Sequence, residues 1–328
     1  MKISNRLLQQ LRTVFSLVLC ASITGAALAQ SYPTKPIRFI VAAAPGGGSD
    51  YIARIVGQKL SAALGQTVVI DNRGGAAGNI GAELTARASP DGYTLVVVAS
   101  SHASNINLYR KLYYDPVKDF APVTQLVSNY FLLAVQPSSP PKTVKEFIAF
   151  ARSKKGELTY GSAGSGQGAH LGMELLKTLA GFDAVHVPYS GIGPATVALL
   201  AGQVDVALLT PPSTLPQVKA GKLKVLAVTS LKRMAVLPSV PTIAESGFPG
   251  FEVNSWQGLL APAGTPREIV TKLYEETSKS LKLSDVLERL AVVGAQPVGS
   301  TPEEFAGFIQ AEITKWEKVI KQSGARAD

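Results

Sequence analysis

Apolar residues along this chain recur in two alternating rhythms: short runs of strand length, then glycine- or serine-rich loops, then apolar positions at helical spacing. The run Ile37 to Ala43 leads into Ala44-Pro45-Gly46-Gly47-Gly48-Ser49-Asp50, after which Ile52, Ile55, Val56 and Leu60 mark a helix. Thr67 to Asp71 leads into the loop Asn72 to Asn79, and then a helix carrying Ile80, Leu84 and Ala88. Tyr93 to Ala99 ends in Ser100-Ser101-His102-Ala103-Ser104. Three such units in succession predict a parallel sheet with covering helices, whose ligand-collecting edge carries the loops.

Phe120 to Leu126 and Tyr130 to Val135 read as strands leaving this unit, and a helix begins at Val144. The pattern then restarts. Leu158 to Tyr160 leads into Gly161-Ser162-Ala163-Gly164-Ser165-Gly166-Gln167-Gly168 and a helix with His170, Leu171, Leu175 and Leu179. Ala184 to Val187 leads into Pro188-Tyr189-Ser190-Gly191, and Val204 to Leu209 into Thr210-Pro211-Pro212-Ser213. Lys224 to Thr229 has no glycine loop, Glu252 to Leu260 returns to the first unit, and helices near Arg267–Lys282 and Pro302–Gln322 close the chain. The expectation is an α/β protein of two lobes, each a mostly parallel sheet flanked by helices. Residues 30–128 and 255–328 form the first, 129–254 the second, and three loops from each face a shared cleft.

The N-terminus stands apart. Lys2, Arg6 and Arg12 precede an apolar segment from Val14 to Ala27 that ends in Ala27-Leu28-Ala29. A basic start, an apolar stretch too short to span a bilayer comfortably and small residues at the end predict a signal peptide over 1–29, cleaved after Ala29. The sole cysteine, Cys20, lies inside it behind Leu19, which disfavours lipidation, so no disulfide or thiolate chemistry is expected afterwards. Removing three basic residues lowers the formal charge from +9 to +6. The rest of the Lys and Arg are scattered without aromatic interleaving, which argues against nucleic acid.

The loops carry the candidate chemistry. A strand, a glycine loop and a helix start direct backbone N–H groups at an anion, because the first turn of a helix has donors without internal partners. Ala44, Gly46, Gly47, Gly48, Ser49 and Asp50 are candidates in the first loop, Gly78 and Asn79 in the second, and Ser100, Ser101 and His102 in the third. Ser162, Ala163, Gly164, Ser165, Gln167, His170, Tyr189 and Thr210 are their counterparts in the other lobe. His170 either fixes its loop or touches ligand; Asp50 is either a helix-start residue or a contact; Arg73 pairs with a carboxylate of the ligand or of a nearby acid. Trp256 and Trp316 read as core or hinge packing. No Gly-x-Ser-x-Gly frames Ser162 or Ser165, although a hydrolase using either with His170 is the rival from another class. Gly164 to Ala169 matches a dinucleotide fingerprint, but the acidic residue expected after the next strand is absent. Neither cofactor nor metal is expected, since the three histidines show no metal spacing.

Together, Tyr32-Pro33, Pro45-Gly46-Gly47, Asn72-Arg73, Gly78-Asn79-Ile80-Gly81, Pro90-Asp91-Gly92-Tyr93, Tyr114-Asp115-Pro116, His186-Val187-Pro188-Tyr189 and Gly258-Leu259-Leu260-Ala261-Pro262 form an ordered pattern. In it the chain resembles the Bug family of periplasmic solute-binding proteins, receptors of tripartite tricarboxylate transporters. The resemblance implies a two-lobed Venus-flytrap fold of the second periplasmic-binding-protein type. It also implies no catalysis, a periplasmic monomer, one small carboxylate as ligand, and the large and small membrane subunits of such a transporter as partners. A chemosensory role for the same fold is compatible with it. Three departures from the family pattern suggest a ligand bulkier or more apolar than aspartate or glutamate. They are Ala42-Ala43 in place of Pro-Phe, Leu208-Leu209 in place of Phe-Asp, and His102 near a frequent glycine.

Overall fold

A computed structural model describes residues 32–326, so the expected signal peptide, with Cys20, lies outside the described residues. Two sheets organise the chain. The first has six strands, β1 (Ile37–Val41), β2 (Val68–Asn72), β3 (Thr94–Ala99), β4 (Phe120–Tyr130), β10 (Asn254–Pro262) and β11 (Gln296–Pro297), in the order β11-β4-β10-β3-β1-β2. The second is β5 (Leu132–Val135), β6 (Thr159–Ser162), β7 (Val185–Pro188), β8 (Val206–Leu209) and β9 (Lys224–Val228), in the order β7-β6-β8-β5-β9.

Both sheets are mixed, which corrects the mostly parallel expectation. Only β2-β1-β3 and β7-β6-β8 run parallel. β10 is antiparallel to β3 and β4, and β5 to β8 and β9, because these strands arrive by crossing between the lobes instead of through a covering helix. β4 is also one unbroken strand to Tyr130, where two segments with a gap were expected.

The helices are α1 (Gly48–Leu64), α2 (Asn79–Ala86), α3 (Ser101–Leu108), α4 (Val144–Ser153), α5 (Gly168–Ala180), α6 (Ile192–Leu200), α7 (Pro211–Lys219), α8 (Arg267–Ser280), α9 (Ser284–Val292) and α10 (Pro302–Ser323). No helix range was expected from the sequence for α3, α7 or α9. Strand alternation deals side chains to opposite faces. Leu95 and Val97 enter one cluster with α1 residues Ile52 and Ile55, while Val96 and Val98 enter another with Phe305 and Ile309 of α10. In the second sheet Leu133 and Leu208 face α5, and Ala134 and Leu209 face Ala195 and Leu199 of α6. Each fully buried Leu or Phe of this kind contributes roughly 1.5–3 kcal/mol.

α10 was expected wholly with the first lobe. Its last turns instead place Trp316, Val319 and Ile320 in the core of the second sheet, because its apolar stripe outruns the first.

Candidate functional site

Because β3, β1 and β2 are parallel neighbours, their carboxyl ends share one edge, and the same holds for β7, β6 and β8. Six connections leave these edges, and each ends in a helix start: α1, α2 and α3 in one lobe, α5, α6 and α7 in the other. The two sets meet. Gly166 of the loop after β6 lies so near Leu108 of α3 that a Cβ there would stand 2.7 Å from the leucine Cδ1.

None of the six helices has a side-chain cap. The capping residues are Gly47, Gly78, Ser100, Gln167, Gly191 and Thr210, and no side chain among them accepts a first-turn backbone N–H. Of the four helices that start elsewhere, α4 and α10 are capped by Thr143 and Thr301, while α8 and α9 also have no side-chain cap. The first intrahelical bonds are Tyr51 N–H to Gly47 O in α1 and Leu171 N–H to Gln167 O in α5. The amides of residues 48–50 and 168–170 therefore precede the helical ladder and retain the positive end of the helix dipole.

Several candidate side chains support these loops instead of lining them. Asp50 is 4% exposed, and its carboxylate accepts the Gly46 N–H at 2.9 Å and Arg54 Nε at 3.0 Å. Burial pushes its pKa up, but the bonds from Arg54 and Gly46 outweigh this and hold it below the usual carboxylate range. The imidazole Nδ1 of His170 accepts the Gly166 N–H at 3.0 Å, so His170 fixes its loop. Ser162 Oγ lies 2.6 Å from His186 Nε2 and accepts the Gly164 N–H at 3.1 Å. His186 stacks on His170 with ring centroids 4.0 Å apart. Burial lowers both histidines to about 4, so each is a neutral partner at pH 7.

On the first lobe, Ala76 and Ala77 have φ of 47° and 53°, conformations that cost non-glycine residues about 1 kcal/mol or more each. The strain is held in place: the Ala77 carbonyl accepts Ser101 Oγ at 2.8 Å and Asn105 Nδ2 at 3.2 Å. The side-chain oxygen of Asn79 accepts from Asn105 at 2.6 Å and from the Tyr114 hydroxyl at 2.8 Å. Ala44, Gly46, Gly47, Gly48 and Ser165 are exposed at the loop tips; Gly78, Ala163, Gly164, Gln167, Tyr189 and Thr210 are half-buried; Ser49 and Ser100 are buried.

Two expectations, on His102 and on Leu208–Leu209, need correction, and of the two readings of Arg73 the salt bridge is the one found. His102 is 3% exposed; its Nε2 bonds the Pro116 carbonyl at 3.0 Å, and its ring sits between Tyr114 and Phe120, so it belongs to the lobe interior. Leu208 and Leu209 are each 0% exposed and packed in the two cores of their sheet, so they give the cleft no apolar wall. Arg73 pairs with Asp71 at 2.9 Å, which settles it as a salt bridge within its own lobe. Only Ala43, half-buried beside the first loop, remains of the features that suggested a larger ligand.

Sequence reasoning missed His186, Asn105 and Tyr114. His186 acts on Ser162 only because β6 and β7 pair with Ser162 opposite Pro188, a register that sequence spacing does not reveal. Among the described residues no group of three or more His, Cys, Asp or Glu could hold a metal ion. A separate apolar cavity of about 410 Å³, with Pro212, Leu215, Met234 and Val292 among its walls, brings no charged side chain to its surface.

Residues 52–325 match the tripartite tricarboxylate transporter family receptor. The chain is 36% identical to Protein BugT of Bordetella pertussis over 308 residues, covering 93% of this chain and 94% of that one. Among solved structures, Rpa4515 of R. palustris with adipate is 39% identical with a TM-score of 0.78, covering 90% of this chain and 99% of that one. MatC (Rpa3494) of Rhodopseudomonas palustris with bound malate is 38% identical with a TM-score of 0.75, covering 88% of this chain and 100% of that one. The two-sheet α/β fold is thus shared with these solved structures, and the chain belongs to the tripartite tricarboxylate transporter receptor family.

Proposed function

We propose that this protein is exported, freed of residues 1–29, and captures one small dicarboxylate between its lobes as a periplasmic monomer. It then presents the acid to the large and small membrane subunits of a tripartite tricarboxylate transporter. The observation that carries this reading is that the carboxyl ends of β3-β1-β2 and of β7-β6-β8 each open three helix starts without side-chain caps. Charge-assisted bonds from such amides to a carboxylate contribute roughly 1.5–3 kcal/mol each, and donors from both lobes favour the shut state. The adipate and malate held by the two solved relatives support a dicarboxylate of similar length. Ala43 beside the first loop supports room for the longer of the two.

The Ser162–His186 contact at 2.6 Å is the one feature that favours a hydrolase. Ser162 is 0% exposed, however, and its oxygen is committed to His186 and the Gly164 amide. Among the described residues no carboxylate hydrogen-bonds the His186 ring, whose partner is Ser162, whereas a triad needs one on its other nitrogen. We read the pair as support for the loop.

Calorimetry with adipate, malate and aspartate, alongside assays for turnover of their esters, tests the reading. Saturable binding of a dicarboxylate without turnover is expected. Ester hydrolysis abolished by Ser162→Ala would replace the receptor with an enzyme.

A further inference from the structure

Three segments pass between the lobes, and two of them, α10 and the one leading into β10, meet at one carboxylate. α10 carries Phe305, Ile309 and Ile313 in the core of the first lobe and Trp316, Val319 and Ile320 in that of the second. At the crossing point Glu312 is 4% exposed. One of its oxygens accepts the indole N–H of Trp316 at 3.0 Å and that of Trp256 at 3.4 Å, and these are the only two tryptophans in the chain. Trp256 lies on β10 and packs against Phe305 and Phe308, on the first-lobe side. The other Glu312 oxygen is held by Lys315, whose Nζ also stands 3.5 Å from the Glu252 carbonyl, in the segment leading to β10. The Glu252 carboxylate in turn accepts the hydroxyl of Tyr130, at the end of β4, at 2.9 Å.

A buried carboxylate costs more than an apolar side chain of the same size unless it is paired and hydrogen-bonded. Its best-attested use is to fix one arrangement among several. We infer that Glu312 is the pivot of lobe closure. It ties Trp256 on β10 to the turn of α10 that carries Trp316 into the second core, so the lobes rotate about that point without sliding, and it thereby positions a binding site it does not touch. This rests on the clamp reading above. A looser pivot populates orientations in which the six loops do not converge, and apparent affinity falls with the fraction that is competent.

Ile80 on α2 and Val197 on α6 are 48% and 65% exposed, one on each lobe. Spin labels at Ile80→Cys and Val197→Cys, with Cys20→Ser removing the sole native cysteine, report the inter-lobe distance by pulsed electron paramagnetic resonance. Glu312→Gln is expected to broaden that distribution without ligand and to raise the dissociation constant of adipate about fivefold. Trp316→Phe, which removes one of the two indole donors, is expected to broaden it less and keeps the test available if Glu312→Gln does not fold. Superimposable distributions for wild type and folded variants would overturn the pivot. A broadened distribution with unchanged adipate affinity would overturn its link to binding. The distance measurement needs no ligand, so a wild type that ignores adipate removes the clamp reading while the pivot is still decided.

Discussion

Asp50 and His170 hold matching places in the two lobes. Each is the third residue of its helix and accepts the N–H of the glycine four positions earlier, Gly46 at 2.9 Å and Gly166 at 3.0 Å. One acceptor is a carboxylate neutralised by Arg54 and the other a neutral imidazole, yet both tie the preceding loop to the first turn of the helix.

The loops should therefore loosen when either acceptor is removed. Asp50→Ala is expected to cost about 1–2 kcal/mol of stability, as for a lost charge-assisted bond, and to weaken adipate binding about tenfold. His170→Phe keeps a ring against His186 but frees the Gly166 amide, and a loss of similar size in affinity is expected with less effect on stability. Calorimetry and thermal melts separate the two; wild-type affinity in both variants would contradict the matched roles.

Acid should act through the histidines. Burial lowers His102, His170 and His186 to about 4, with the Lys177 charge adding to it at His170 and the neighbouring His170 at His186. In the unfolded chain each takes up its proton near pH 6.5, so the fold refuses protons that the unfolded state accepts. Their contribution to stability is complete above pH 6.5 and is lost as pH falls toward 4, by about 3 kcal/mol for His102 alone. Urea midpoints at pH 7.5, 6 and 4.5 should fall in that order; midpoints that stay level would contradict the neutral, buried state of these rings.

Two glycines should respond to alanine with opposite signs. A Cβ at Gly258 on β10 would stand 2.1 Å from Cζ of Phe305, whereas one at Gly307 on α10 meets nothing within 4 Å. Gly258→Ala is expected to destabilise by about 1–3 kcal/mol through overpacking. Gly307→Ala is expected to stabilise by about 0.5–1 kcal/mol, the helix-propensity gain. Differential scanning calorimetry of both variants checks the packing of α10 on the first sheet.

Much of this was legible in the chain because strand, glycine loop and helix leave a local imprint. The loops after β1 and β6 and the three-and-three arrangement followed from runs such as Ile37 to Ala43 and Leu158 to Tyr160 with the glycine loops that follow them. What escaped depends on contacts distant in sequence. His102 looked like a loop residue until α3 folded it between Tyr114 and Phe120, and Leu208–Leu209 looked like a cleft wall until both faces of the second sheet were covered. The stripe on α10 predicted burial correctly but not that two lobes share it, because periodicity records that a face is covered and not by what.

A crystal structure of the protein with adipate tests the clamp most directly. The expected result is a carboxylate bonded to first-turn amides of α1 or α2 in one lobe and of α5 or α6 in the other. Adipate seated instead in the apolar cavity beside Pro212 and Val292, or bonded to one lobe alone with the loops of the other turned away, would contradict it.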